Sequence, residues 1–409
     1  MMKIKMMKKR VNLYNLAISV ILLSLLASCS TQEKDRVSEK KSSYILYSKN
    51  NSYGLMKEGK NPFFSLGINH IQAITYPTPL EIFDKKYDGN WGLAALDIKK
   101  NLLKWGFNTA GYGTPNELRK IMPYMMPCQP LVQNSAYLGK EQFSYADIFN
   151  PAIKKEIVKK IENMTREKNN PNLVGYYWTD TPMWDLNKSR KRFGMNWVDF
   201  IKNLPDDSYG KRRYKEFKRE CTLSQYPAKD EDFLGIIAEE YYGLIGPATR
   251  KNDPDTLIFG ERYLMGNHPE QVLSAALPFI DVLSIQPNGS CLINEYYDDL
   301  YAFTGKPIII CDHQCSFATH SHQYTMWEQL ESQEHVCGAY DEHLLGAVSK
   351  PYIIGYHRCQ YMDRYDENLK MLKQGMVQQD GIPYEPHATL IMNINKKVQR
   401  LFNSNRFIR

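Results

Sequence analysis

The sequence lacks the short motifs that bind nucleotides or present a nucleophilic serine. It contains no phosphate-binding loop, no dinucleotide fingerprint and no Gly-x-Ser-x-Gly elbow. Internal repeats and low-complexity segments are also missing, so neither a solenoid nor a disordered chain is indicated. The absences leave a globular domain whose chemistry must come from residues far apart in the sequence.

An excess of one charge is also missing once the N-terminus is set aside. The chain has a formal net charge of +7, and five of the positive charges lie within the first ten residues. The remainder is therefore near +2, which gives no sign of a nucleic-acid-binding surface. We expect no nucleic-acid partner.

The first 29 residues are typical of a bacterial export signal. Basic residues precede the apolar run Leu16–Leu26, and Leu26–Ala27–Ser28–Cys29 resembles a lipoprotein cleavage box. We expect cleavage before Cys29, lipid on Cys29, and attachment to a Gram-negative cell envelope, in the periplasm or at the outer-membrane surface. The alternative is an uncleaved membrane anchor, but the apolar run is short for a span.

The remaining chain divides into a tether and one large domain. Residues 30–43 are polar and charged, as in a flexible linker. Residues 44–409 are long for a single domain but normal for a barrel with extended loops. Seven cysteines remain after Cys29, an odd number whose spacing shows no disulfide framework.

Strand-like and helix-like segments alternate through this domain. Eight such alternations predict an α/β fold, a (β/α)8 TIM barrel, preceded by a small hairpin at Tyr44–Gly54 that caps its floor. The predicted strands are 63–70, 106–112, 123–131, 173–179, 256–262, 279–286, 307–312 and 352–358. Predicted helices include 93–104, 151–167, most of 196–252, 269–277, 322–348 and 388–402.

Two of the predicted strands end in a carboxylate. The apolar run Val174–Trp178 is followed by Thr179 and Asp180, and a second run, Pro307–Cys311, is followed by Asp312. TIM-barrel enzymes hold their chemistry where strands open into loops at the carboxyl end of the barrel. The pair therefore indicates acid–base chemistry, and paired carboxylates are typical of glycosidases.

Six segments follow one another in an order and spacing that suit a barrel: Pro62–His70, Trp105–Thr109, Val174–Tyr177, Phe259–Tyr263, Lys306–Ile309 and Pro351–Asp363. In this order they resemble glycoside hydrolases of clan A, and most closely the agarase-like enzymes of family 50. The resemblance covers nearly all of residues 44–402. It implies a barrel that hydrolyses glycosides with retention, using an Asn-Glu pair after strand four and a Glu at the end of strand seven.

The chain departs from that pattern at both positions. Asp180 stands where the family has Asn, Thr181 where it has the acid/base Glu, and Asp312 where it has the nucleophile. Retaining enzymes hold their carboxyls about 5–5.5 Å apart and inverting ones about 6.5–9.5 Å apart. Because Asp is one methylene shorter than Glu, Asp180 as general acid and Asp312 as base or nucleophile leave both stereochemical outcomes open.

Further strand-end residues are candidates for the site. Glu261 is a second candidate acid, with an ion pair as the alternative, and Glu295 is a weaker one. Trp178, Trp184 and Tyr263 are candidates for stacking on sugar rings, with burial in the core as the alternative. Candidates for other substrate contacts are Asn69, His70, Thr181, Arg262, Gln286, Asn288, His313, His357 and Arg358.

A metal site is not expected, and neither is a cofactor. Cys311, Cys315, His313, His320 and His322 are possible ligand types, but they lie in one loop without a distant partner pair. The sequence therefore predicts an exported glycosidase acting on a galactose-containing or related polysaccharide, including acidic or sulfated ones. The alternatives are a glycan-binding lipoprotein without activity, or another hydrolase on the same barrel.

Overall fold

The structure, a computed structural model, describes residues 43–75, 81–130, 134–135, 138–143, 145–319, 325, 328–366, 368 and 370–406. The expected lipidation site Cys29, the tether 30–42, His320 and His322 lie outside these residues. None of the helices in the described ranges has the length and apolar character needed to cross a bilayer.

Eight parallel strands close into a barrel, as the alternation predicts. Their order around the barrel is β12-β3-β4-β5-β6-β7-β8-β9. The strands are β3 (Ser65–Ile68), β4 (Thr109–Ala110), β5 (Tyr124–Pro127), β6 (Leu173–Asp180), β7 (Leu257–Leu264), β8 (Leu283–Gln286), β9 (Ile308–His313) and β12 (Ile353–Arg358).

Helices surround the barrel. They are α1 (Ile82–Tyr87), α2 (Trp91–Lys104), α3 (Asn116–Arg119), α4 (Pro151–Met164), α5 (Leu186–Phe193), α6 (Trp197–Lys202), α7 (Tyr209–Leu223), α8 (Asp230–Asn252), α9 (Glu270–Ala276), α10 (Asn294–Thr304), α11 (Gln333–Ser349) and α12 (His387–Arg406). Local sequence sets several boundaries. Asn150 caps the backbone of Ala152 ahead of Pro151, and Asn196 and Asp199 form a capping box.

The hairpin of β1 (Tyr44–Lys49) and β2 (Ser52–Lys57) closes the floor of the barrel, which confirms that prediction. Tyr44 and Leu55 belong to the same apolar cluster as the inward-facing residues Val174 and Leu257. The floor is therefore packed, and the mouth at the carboxyl ends of the strands is the end available for chemistry.

Two predicted helical regions differ from the structure. The long region 196–252 is three helices, α6 to α8, because it is broken near Pro205 and Pro227. The predicted helix 322–348 begins only at Gln333, where Ser332 caps it. Before it, β11 (Gln329–Leu330) pairs with β10 (Ser316–Phe317), so this prediction was wrong over its first turns. The remaining pair, β13 (Arg364–Tyr365) and β14 (Met371–Lys373), forms a small hairpin after β12.

Candidate active site at the barrel mouth

Polar side chains from six of the strands are buried in the barrel interior at its mouth. Asn69 follows β3, Asp180 ends β6, Arg262 lies in β7, Gln286 ends β8, Asp312 lies in β9 and His357 in β12. Each is at most 3% exposed. The sequence predicted all six as site residues, and the barrel brings them together.

The backbone at Gly260 decides which side chain of β7 enters the interior. Leu257 and Phe259 face the barrel interior, so strict alternation would direct Glu261 inward as well. Gly260 instead has φ +65°, and the pairing of β6 with β7 shifts register here. This irregularity turns Arg262 inward and Glu261 toward the helices, the kind of re-aiming that bulges produce next to active sites.

Arg262 bridges the two predicted catalytic carboxylates. Its Nη1 lies 2.8 Å from Oδ1 of Asp180, and its Nη2 lies 3.1 Å from Oδ2 of Asp312. The guanidinium also donates to the Cys311 carbonyl at 3.0 Å and lies 4.2 Å from the ring centroid of Tyr112. Burial would lower the pKa of Arg262, but the two carboxylates outweigh it and raise the pKa well above its usual value.

Asp312 is held as an ionised carboxylate. Asn69 donates from Nδ2 to Oδ1 at 2.8 Å, and His70 Nε2 lies 3.3 Å from Oδ2. Burial alone would raise the pKa of Asp312, yet Arg262 and His70 hold it well below the usual range. Burial and the charge of Lys373 lower the pKa of His70. The arrangement suits a nucleophile or base that must stay charged.

Asp180 is surrounded by hydrogen-bond donors. Besides Arg262, Gln286 donates to its Oδ1 at 2.7 Å, and the side-chain amide of Asn134 donates to its Oδ2. The side-chain oxygen of Asn134 also accepts from the Thr181 hydroxyl. The backbone of Thr181 has a φ of +45°. Both carboxylate oxygens of Asp180 therefore accept hydrogen bonds from side chains at the mouth.

The carboxyl of Glu261 lies apart from the carboxylate pair, so the structure does not place this candidate acid beside Asp180 and Asp312. Its Oε2 accepts from Trp184 Nε1 at 2.7 Å and from the Tyr242 hydroxyl at 2.6 Å. Burial raises the pKa of Glu261 to about 7, although these hydrogen bonds act in the opposite direction. The carboxyl lies in an aromatic layer between β7 and α8, on the far side of the strand from Arg262.

The three aromatic residues proposed to stack on sugars also lie in this helix-facing layer. Trp178 donates to Thr249 of α8 at 3.3 Å, and the Tyr263 hydroxyl lies 2.7 Å from that of Tyr242. Trp178, Trp184 and Tyr263 are no more than 1% exposed. Their placement favours the alternative interpretation as core residues.

Strands β9 and β12 each place one predicted residue inward and its neighbour outward. His357 faces the interior, where its Nε2 lies 2.9 Å from Ser65 Oγ and burial lowers its pKa to about 3. Arg358 instead faces outward, and its Nη2 lies 3.0 Å from Nε2 of His387 in α12. His313 stacks on His343 of α11 with ring centroids 4.3 Å apart. Arg358 and His313 therefore do not line the mouth as predicted.

The other loop candidates lie at the surface. Asn288 is exposed in the loop after β8, and Glu295 is exposed in the first turn of α10. Within the described part of the chain, neither forms a hydrogen bond or ion pair with the carboxylate pair, whereas Gln286 donates to Asp180.

The sequence analysis did not identify two residues near the pair, Asn134 and Lys373. Asn134 lies in a loop without a periodic pattern, so no signal identified it. Lys373, from β14, donates to Cys359 Sγ at 3.5 Å and is 5% exposed. A buried lysine in an irregular hairpin has no sequence signature beyond its charge.

Three possible metal ligands meet beside these residues. Ligand atoms of His70, Asp312 and Cys359 lie within 4.8 Å of one another. However, Lys373 already donates to Cys359 Sγ at 3.5 Å, and Arg262 Nη2 lies 3.1 Å from Oδ2 of Asp312. Arg262 and Lys373 already supply positive charge at this point. The donor set is therefore a poor fit for a divalent cation.

Comparisons with known proteins agree with the fold. No family model matches the chain, and no curated protein matches it. An exo-beta-agarase structure has a TM-score of 0.74 at 15% identity over 88% of this chain and 65% of its own. A second agarase structure has a TM-score of 0.70 at 17% identity, and the match covers 88% of this chain and 64% of the agarase. A GH2 beta-galacturonidase structure from Eisenbergiella tayi has a TM-score of 0.51 at 13% identity, and the match covers 87% of this chain and 54% of the galacturonidase. At such identities the likeness shows a shared fold, and the chain spans 64–65% of the length of these two agarases.

Proposed function

We propose that the barrel mouth binds and hydrolyses a glycoside. The observation that carries the proposal is the position of Asp180 and Asp312 at the ends of β6 and β9, both on the guanidinium of Arg262. Two carboxylates on opposite sides of one mouth are the minimum for glycoside hydrolysis. The shared fold with structures named as agarases supports this reaction class.

Asp312 is proposed as the nucleophile or base. Its ionised state is fixed by Arg262, Asn69 and His70, and it lies on the strand where the resemblance expects the nucleophile. A carboxylate at the end of β9 has its charge available without a further proton transfer.

Asp180 is proposed as the proton donor. Three donors already lie on its two oxygens, the amides of Asn134 and Gln286 and the guanidinium of Arg262, so a bound substrate would compete with them for Asp180. Asn134 is the most accessible of these partners, since it is half-buried while Arg262 and Gln286 are buried. A sugar hydroxyl that replaced the Asn134 amide would place the substrate directly on Oδ2 of Asp180.

The proposed substrate is a galactose-containing polysaccharide or a related one, including acidic or sulfated chains. The agarase structures support the first class, and the galacturonidase structure supports the inclusion of uronic acids. The experiment is incubation of residues 30–409 with a panel of neutral, uronic and sulfated polysaccharides, followed by product chromatography. Release of oligosaccharides from one substrate class supports the proposal, and absence of product from every substrate contradicts it.

The stereochemistry is settled by NMR of the first product formed. Retention of the anomeric configuration means that Asp312 acts as a nucleophile, and inversion means that it activates a water. Both outcomes are compatible with the pair, because the shorter Asp side chains leave more room between them than Glu would.

Glycan binding without hydrolysis is the second candidate, because Thr181 and Asp312 stand where the resembled family has its two catalytic Glu residues. Such a site would still present hydrogen-bonding groups to sugar hydroxyls. Affinity electrophoresis in gels containing each polysaccharide distinguishes the two functions. Retardation by one glycan, with no product from it, favours the binding protein.

We also propose attachment to the cell envelope through lipid on Cys29, in the periplasm or at the outer-membrane surface. The support is the signal-like sequence of residues 1–29. Metabolic labelling with a radioactive fatty acid tests it, with Cys29→Ser as the control. Label in the parent and none in the variant is expected, whereas equal label in both contradicts the proposal.

A further inference from the structure

Helix α2 carries three leucines on its solvent side. Leu93, Leu96 and Leu103 are 54%, 62% and 54% exposed. The opposite side of the same helix is buried through Ala94, Ala95, Ile98 and Leu102. At 100° per residue the exposed leucines fall within one face, so they form a stripe along a helix that already has its core contacts.

Two lysines lie on that same face. Lys100 is exposed between Leu96 and Leu103, and Lys104 is exposed one residue after Leu103. The helix has a single acid, Asp97, which is half-buried and paired with Lys86 at 2.9 Å. At 100° per residue Asp97 falls beside Lys104 at the edge of this face, so the outward face of α2 combines three leucines and two lysines with one adjoining acid that is already paired with Lys86.

We propose that this face of α2 rests on an anionic membrane surface. Leucines inserted among lipid headgroups with lysines beside them are the pattern of helices that lie in the membrane interface. The helix has 14 residues, which is roughly 21 Å and too short to span a bilayer. It would therefore lie along the surface rather than enter the membrane.

The charge pattern favours lipid over a second copy of the chain. Two such faces packed together would bring Lys100 and Lys104 of both copies into an apolar contact, where like charges repel. Anionic headgroups instead neutralise each lysine while the leucines leave water. Exposed apolar stripes of this kind mark interaction sites in soluble domains.

The expected lipid on Cys29 would also attach the chain to a bilayer, and the proposed contact of α2 is tested without it. The proposal does not depend on the proposed glycosidase function.

The test is flotation of residues 30–409, which contain every strand of the closed barrel, with phospholipid vesicles. One set contains phosphatidylcholine and phosphatidylglycerol at 2:1, and the other contains phosphatidylcholine alone. We expect binding to the anionic vesicles, with at least a tenfold loss for Lys100→Glu/Lys104→Glu, since each lysine loses its attraction to the surface and each glutamate adds repulsion. Leu96→Gln/Leu103→Gln should also lose binding.

The matched control is Leu223→Gln. Leu223 is 79% exposed at the end of α7, outside the α2 face. Its variant should float like the parent, and unchanged circular dichroism melting curves show that all variants fold. Failure of the parent to float, or equal flotation by every variant, overturns the proposal. A dimer in sedimentation velocity that Leu96→Gln/Leu103→Gln dissociates, without vesicle binding, overturns it in favour of a second copy.

Discussion

Arg262 and Asp312 form an ion pair from which water is almost entirely excluded. The guanidinium is 0% exposed and the carboxylate 4%, with 3.1 Å between Nη2 and Oδ2. Asp180 occupies the other terminal nitrogen of the same guanidinium at 2.8 Å. Arg262 thus lies between two buried anions at the centre of the mouth, with Lys373 as a further cation near Asp312, and the chemistry and stability of the site depend on it.

Replacing Arg262 by Met is expected to lower the free energy of unfolding by about 3–5 kcal/mol, because two buried carboxylates lose their cation. Urea denaturation at pH 7 measures the change. The triple variant Arg262→Met/Asp180→Asn/Asp312→Asn should recover part of the loss, since neither of the two buried carboxylates remains. A loss below about 1 kcal/mol in the single variant would show that the pair is solvated in solution.

Glu261 should make stability fall as the pH rises. Burial raises its pKa to about 7 in the folded chain, above the ordinary value of about 4.3, so the folded state binds the proton more tightly. Stability is therefore lost between about pH 4 and 7, by roughly 3 kcal/mol. The free energy of unfolding should be measured at pH 5 and at pH 8 for both proteins. The drop between the two pH values should be larger in the parent than in Glu261→Gln, by roughly 3 kcal/mol. Parallel pH profiles of the two proteins would contradict the assignment.

The stacked histidines should act in the opposite direction. Burial lowers the pKa of His313 to about 4 in the folded chain, whereas an unfolded histidine titrates near 6.5. The unfolded state binds the proton more tightly, so stability falls as the pH drops from about 6.5 to 4, by roughly 3 kcal/mol. His313→Gln should remove this loss in urea denaturation series. The exposed His335→Gln is the control and should retain it.

Gly67 leaves the space that the His357 ring occupies. A Cβ built at Gly67 would lie 2.4 Å from Cδ2 of that ring, inside the packed barrel. Gly67→Ala is therefore expected to lower the melting temperature, with a cost of about 1–3 kcal/mol for overpacking. Gly243→Ala is the matched control. Gly243 lies on the exposed face of α8, and a Cβ built there has no neighbouring atom within 4 Å among the described residues. The variant should therefore be as stable as the parent or slightly more stable.

The sequence predicts the barrel and its carboxylates well for a physical reason. Strands covered on both faces read as continuous apolar runs, and the polar residue that ends such a run must lie at the mouth. This rule places Asp180, Asp312, Asn69 and Gln286 correctly. It says only that a residue ends a strand, however, and not which side of the strand its side chain takes.

The sides of the strands depend on backbone irregularities that the sequence does not show. Gly260 with φ +65° exchanges the directions that Glu261 and Arg262 would otherwise have. The register shift between Tyr356 and Arg358 coincides with the outward turn of Arg358. Side chains from loops, such as Asn134, reach the site through tertiary packing, which leaves no periodic pattern. These are the places where the prediction fails.

The most direct test of the central claim is kcat on the substrate identified from the panel, measured for Asp180→Asn, Asp312→Asn and the control Asp253→Asn. Asp253 is also buried but lies next to the floor, where it accepts from the Tyr176 hydroxyl at 2.7 Å. Both mouth variants are expected to lose about a hundred- to ten-thousand-fold in kcat, while the floor variant keeps its rate when folded. Rates within a few-fold of the parent in either mouth variant would show that the Asp180–Asp312 pair does not carry the reaction.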